Sequence, residues 1–177
     1  MPMTSQAQKP PSLTAVPAPS AKLADYVSLC LAMWNDDSDT ASRASALGLQ
    51  DMAGIGAAIT IGKTTLRGFR SNPNRGSVFT MSTRFSDSSK TSTCDVAMPR
   101  TIVRAELETL EKDLDLDGQI VTLGPAAMGQ WKMRARQPAI FLKVASGNGN
   151  LLLSVQQSES TLDAARAKAH AASPKSR

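Results

Sequence analysis

The stretch TCDVAMPRTIVRAELETLEKDLDL, residues 93–116, decides the fold of this 177-residue chain. Its first six residues alternate in polarity, and the apolar set, which shares one side of an extended strand, is Cys94, Val96 and Met98. Pro99 ends the strand because it has no amide hydrogen to donate to a neighbouring strand. The pattern therefore predicts a strand over residues 93–98 whose apolar side faces a protein core.

An amphipathic helix is expected directly after this strand. Four apolar residues recur at the spacing of one helix face: Val103, Leu107, Leu110 and Leu114. Thr101 is a suitable N-cap, because its hydroxyl can accept a hydrogen bond from an amide in the first turn. The spacing predicts a helix over residues 100–114 that lies on the sheet containing the preceding strand.

The segments on either side repeat this combination of helix and strands. Residues 21–46 have the apolar spacing of a helix with a break near its middle. Strand patterns lie at residues 58–61, 64–69, 77–85, 130–136, 139–145 and 151–156, and the last two flank a Gly-Asn-Gly-Asn turn typical of a hairpin. We therefore predict an α+β fold: an antiparallel sheet of about six strands, in two three-stranded meanders, with two helices packed on one face, in the order α-βββ-α-βββ.

The two ends of the chain differ in composition from the middle. Residues 1–20 are rich in Pro and Ala and are expected to be a disordered tail, with residues 21–158 as a single α+β domain and residues 159–177 as a short helix and basic C-terminal tail. Ser5-Gln6-Ala7 has the small-x-small form of a signal-peptidase site, although no charged start or apolar run precedes it. The tail is thus either an ordinary disordered segment or the remnant of an export signal.

The two cysteines suggest a covalent link between the first helix and the central strand. Cys30 falls on the apolar side of the predicted helix, and Cys94 on the apolar side of the predicted strand. If that helix covers the sheet, the thiols meet and form a disulfide, which is typical of exported proteins. The alternative is two unrelated buried thiols, because free cysteines are common in protein cores.

An aspartate-rich segment, DLDLDGQI at residues 113–120, resembles the first eight positions of an EF-hand calcium loop. By that resemblance Asp113, Asp115 and Asp117 would supply side-chain oxygens, and Gln119 a backbone carbonyl. The twelfth position is Gly124 instead of a bidentate glutamate. A calcium site is therefore not favoured, and the alternative is a plain helix end with Gly118 as the left-handed residue.

A basic surface is the remaining candidate site. Lys132, Arg134 and Arg136 alternate with apolar residues and would share one side of a strand. They could bind phosphates or an acidic partner, or they could be the solvated side of a half-buried sheet. Aromatic residues make up only 4% of the chain, so base stacking has little support and nucleic acid is disfavoured as a partner.

Composition excludes several classes of activity. The chain has one histidine, His170, in a polar segment, and two cysteines far apart in the sequence. Catalytic triads need an oriented imidazole, and zinc sites need several His or Cys ligands. No enzyme activity and no cofactor are therefore expected.

Charge and hydropathy add little to this. The net charge of the chain is +5, and no apolar run has the length of a membrane span.

The leading hypothesis is a small exported bacterial protein of the periplasm or envelope, non-enzymatic, that acts as a binding or structural module. Its partner is an unidentified protein or acidic ligand, and its exposed sheet face is the expected contact surface. The alternative is a cytoplasmic module that binds nucleic acid or an acidic partner through the basic residues 132, 134 and 136.

Overall fold

The computed structural model describes residues 21–52, 58–71, 76–86, 89–134, 136 and 138–160. The helices are α1 (Leu23–Asn35), α2 (Thr40–Ala46) and α3 (Arg104–Asp113). The strands are β1 (Leu49–Asp51), β2 (Ile59–Ile61), β3 (Thr64–Ser71), β4 (Ser77–Ser86), β5 (Ser89–Met98), β6 (Leu116–Leu123), β7 (Ala126–Met133), β8 (Ile140–Gly147) and β9 (Asn150–Ser160). The expected N-terminal tail, the helix predicted after residue 160 and His170 lie outside the described residues.

All nine described strands form one antiparallel sheet, in the order β1-β3-β4-β5-β9-β8-β7-β6, with β2 also paired to β3. Strands β2 to β5 form one meander, and β6 to β9 form a second. The two meanders meet where β5 pairs with β9, in a ladder that runs from Ser89 opposite Ser160 to Met98 opposite Leu151. This seam makes the two halves one sheet.

The predicted six-stranded sheet with two helices in the order α-βββ-α-βββ is therefore wrong. The described part of the chain has nine strands and three helices, in the order α-α-βββββ-α-ββββ. Residues 116–120 were predicted to belong to a helix end within the aspartate-rich segment 113–120. They form the first part of β6 instead, because Ile120, Val121 and Thr122 are β-branched and favour extended backbone. The first helix is divided in two, since Asp36 adopts a left-handed conformation (φ 55°) and ends α1.

Helix α3 also begins later than its apolar spacing predicts. The Val103 amide donates to the Glu106 carboxylate at 3.1 Å, and the buried Ile102 amide donates to the Ser146 hydroxyl at 3.0 Å. These bonds hold residues 102 and 103 extended against β8, so Thr101 does not cap the helix. Val103 is consequently exposed, while Ile102 joins the core in its place.

The core lies between one face of the sheet and the helices. Helix α1 packs on β4 and β5, α3 packs on β6 and β7, and the two helices contact each other. The Trp34 indole at the end of α1 donates to the Thr93 carbonyl at 3.3 Å, which ties the helix to β5. On the same helix, burial raises the pKa of Tyr26 above its ordinary value of 10.0.

Trp131 fits on the buried face of the second meander because two neighbouring glycines have no side chain in the space that its ring occupies. It lies on β7 and is 2% exposed. A Cβ at Gly129 would run into its six-membered ring, and a Cβ at Gly118 on β6 would overlap the Gln130 carbonyl oxygen and lie 2.7 Å from Trp131 Cδ1. Gly118 therefore makes room for the indole and is not the left-handed residue, which is Asp115 (φ 47°).

Candidate functional site

The face of the sheet opposite the helices, which we call the open face, carries the strongest functional signal. Side chains alternate across each strand, and the set that faces the helices is buried: on β7, β8 and β9 it includes Trp131, Leu142, Val144, Leu153 and Val155. The residues between them point the other way. No described helix covers that side, and its side chains are largely exposed or half-buried.

The open face is unusually rich in large apolar side chains. Nine exposed residues of this kind occur in the described part of the chain, and strand register places eight of them on this face: Ile59, Ile61, Met81, Val121, Leu123, Met128, Phe141 and Leu152. Antiparallel sheets with one solvated face normally alternate apolar and polar residues. Large apolar patches on a protein surface are typical of interaction sites, and this concentration makes the open face the candidate site.

Strand pairing aligns five of the open-face residues across five strands. This apolar row runs from β5 to β6, perpendicular to the strands: Ala97, Leu152, Ala145, Met128 and Val121. Small and large side chains alternate over its first four positions. A groove of about 580 Å³ lies over this row, with the two alanines at its floor. Apolar grooves of this volume are typical of binding sites.

A polar row lies beside the apolar row and contains two opposite charges. It includes Asp95 on β5, Ser154 on β9 and Lys143 on β8, which are direct cross-strand neighbours. Asp95 and Lys143 are thus two strands apart, about 10 Å at the usual strand spacing. Neither makes an ion pair with another described side chain. Both charges therefore remain available to a partner at the rim of the groove.

The two cysteines meet on the opposite, buried face. Cys30 of α1 and Cys94 of β5 form a disulfide with a Cα–Cα distance of 5.7 Å, and both residues are fully buried. The bond fastens the first helix to the central strand of the sheet. It has no partner for redox exchange in the described residues, because these are the only two cysteines of the chain.

The predicted basic surface is broken up in the structure. Strand β7 ends at Met133, so Arg134 and Arg136 do not continue the row of Lys132. Arg134 lies 3.7 Å from Asp115 and 3.5 Å from Asp117. Its charge is therefore partly offset, and the three basic residues do not form a continuous stripe.

The aspartate-rich segment runs from the end of α3 through a turn into β6 and does not gather its oxygens. Asp113 ends α3 and faces Lys22 at 4.0 Å, whereas Asp117 and Gln119 lie on the open face of β6. Among the described residues, no group of three or more acidic, His or Cys side chains is placed to hold a metal ion. The Arg134 guanidinium lies beside both Asp115 and Asp117 and partly offsets their negative charge.

Sequence reasoning predicted that an exposed sheet face is the contact surface but did not name the residues that form the open face. Val121, Met128 and Leu152 were not singled out, although each is a large apolar residue in a strand-like segment. The available signal was that apolar residues occupy both sides of β9, as in Leu151-Leu152-Leu153. A strand with apolar residues on both sides is buried on one side and available for contact on the other.

Comparison with known proteins gives no relative from which a function could be transferred: no family model, curated protein or solved structure matches the chain. None of the helices in the described residues has the length and apolar character needed to cross a bilayer. The geometry of the chain itself is therefore the basis for the functional argument.

Proposed function

We propose that this chain is an exported, non-enzymatic binding module and that the open face is its contact surface. The observation that carries the proposal is the concentration of exposed apolar residues on that face, eight of the nine in the described chain. Water contact with this much apolar surface is unfavourable by roughly 25 cal/mol per Å², and a bound apolar partner removes it. The groove over Ala97 and Ala145 is where such a partner would pack most closely.

A fluorescent apolar dye tests whether the open face binds apolar groups. Leu152→Asp and Met128→Asp place a charge in the groove without touching the core, so each is expected to weaken dye binding at least tenfold while the melting temperature changes little. This corresponds to a loss of about 1.4 kcal/mol, less than the full burial of one such side chain contributes. Dye binding is measured by fluorescence titration in dilute protein.

Val103→Asp is the matched control for this experiment. Val103 is 61% exposed and Leu152 is 59% exposed, but Val103 precedes α3 and is, within the described residues, the one large exposed apolar residue outside the open face. Val103→Asp is expected to bind dye as the wild type does. Equal dye binding by all of these variants, or none by the wild type at a concentration where it is monomeric, would contradict a role for the open face.

The export part of the proposal is supported by the Cys30–Cys94 disulfide. Disulfides persist in oxidising compartments and are rare in the cytosol. Protein isolated from its native cells, unfolded without reductant in the presence of a thiol reagent and then analysed by mass, is expected to carry no label on either cysteine. Labelling of both cysteines would indicate a reducing compartment and would favour the cytoplasmic alternative.

The cytoplasmic alternative, binding of nucleic acid or an acidic partner through Lys132, Arg134 and Arg136, has less support. It requires the three cations to act together, but Arg134 lies beside two aspartates. Phosphate binding would have to overcome that local negative charge.

A further inference from the structure

We propose that the partner of the open face is a second copy of this chain, packed sheet to sheet about a two-fold axis that runs parallel to the strands between β8 and β9. This inference rests on the proposed binding role of the open face and adds the identity of the occupant. Three features of the face carry it: its pattern of large and small residues, its pair of opposite charges and its area. In a two-fold interface the same patch is used twice and has to be complementary to itself.

The apolar row is complementary to itself in shape. Because the axis passes between β8 and β9, each strand of one copy faces the strand that lies equally far on the other side of the axis in the second copy. Strand β9 therefore faces β8, and β7 faces β5. Leu152 on β9 then faces Ala145 of the second copy, and Met128 on β7 faces Ala97 of the second copy. Large side chains thereby enter the hollows above small ones, and the groove that is open in one copy is filled by the side chains of the other.

The polar row is complementary to itself in charge. About the same axis, Lys143 faces Ser154 of the second copy, which is the direct neighbour of Asp95. Each lysine therefore reaches an aspartate of the other copy, and the interface gains two such pairs. A two-fold axis along the polar row instead would place Asp95 on Asp95 and Lys143 on Lys143, which like-charge repulsion opposes.

The area of the face is sufficient for a stable dimer. About this axis the strands that overlap are the six from β4 to β6, and at about 4.8 Å of width per strand, over about seven residues of about 3.4 Å each, they cover roughly 700 Å² in plan. The accessible surface of a corrugated face is larger than its plan area. Stable interfaces bury about 800 Å² on each partner, and aligned sheets pack about 10 Å apart, a distance that the open-face side chains can fill.

Charge reversal tests this geometry. Lys143→Glu alone places a carboxylate beside Asp95 of the second copy, twice per dimer, and Asp95→Lys alone creates two lysine pairs. Each variant is expected to raise the dimer dissociation constant at least tenfold, measured by sedimentation.

Mixing the two variants is the complementary experiment. The mixture has an attractive pair at both positions, so it is expected to form a one-to-one heterodimer, identified by its mass. Lys112→Glu on the exposed side of α3 is the control and should leave the wild-type dimer unchanged.

The outcomes separate this inference from the proposed function. A wild-type chain that is monomeric at its highest attainable concentration, yet binds the dye through Leu152 and Met128, overturns the dimer and leaves the binding role intact. A wild-type dimer that both charge variants also form at full strength shows that another surface associates, and it equally overturns the inference. A monomer that binds no dye removes both proposals. Heterodimer formation only on mixing supports both.

Discussion

Replacing Cys30 and Cys94 by alanine is expected to lower the free energy of unfolding by about 4 kcal/mol, the chain-entropy value for a disulfide that closes a loop of this length. The bond spans 64 residues and joins α1 to β5, so its loss frees most of the first half of the chain in the unfolded state. Both half-cystines are fully buried. Urea unfolding of the oxidised wild type and of the double variant, monitored by circular dichroism, measures the difference.

The reduced wild type is the control for this prediction. It keeps both sulfur atoms in the core, so a midpoint close to that of the double variant would assign the loss to the cross-link and not to missing side-chain volume. Because the bond is shielded by α1, native protein is also expected to resist reduction until the helix separates from the sheet. An unfolding midpoint that is unaffected by reductant would contradict this role of the disulfide.

Gly118→Ala is expected to destabilise the protein by about 3 kcal/mol, the upper end of the usual range for overpacking a well-packed site. The added Cβ would overlap the Gln130 carbonyl oxygen, which belongs to the paired backbone of β7 and cannot rotate away as a side chain can. Either β6 moves off β7 or Trp131 leaves its position. Urea unfolding gives the loss, and a change in the near-ultraviolet circular dichroism, to which Trp131 and Trp34 both contribute, reports the displacement.

Gly147→Ala is the matched control. Gly147 also lies in a strand, but its added Cβ would meet only the Ala126 Cβ at an ordinary 3.6 Å. We expect a change within about 1 kcal/mol in either direction, because the new contact is ordinary and alanine has less backbone freedom to lose on folding. A similar loss at both positions would mean that glycine is needed for its backbone freedom and not for the space it leaves to Trp131.

Local patterns were sufficient to predict the features that depend on neighbouring residues. The apolar side of the helix and of the central strand placed Cys30 and Cys94 in the core, where the structure joins them. The turn between β8 and β9 was predicted from Gly-Asn-Gly-Asn, and Asn148 and Gly149 adopt the positive φ values of a two-residue hairpin loop. Each of these needs only the spacing of residues along one or two elements.

The number of strands and the open face depend on pairing between distant segments. The aspartates of residues 113–117 resembled a loop, although the β-branched residues after them carried the signal for β6. Ala97, Ala145 and Val121 become neighbours in one row only after β5, β8 and β6 take their places in the sheet. Their alignment is a property of strand order and register, which spacing within a single element does not contain.

The seam between β5 and β9 also determines when the molecule can assemble. Strand β9 is the last of the described strands to be made, yet it occupies the middle of the sheet, with β5 on one side and β8 on the other. The earlier meander is left with an open ladder on β5 until that strand has emerged, and joining strands so distant in sequence is slow. The folded sheet is therefore expected to be completed only once β9 is available to fill the place between β5 and β8.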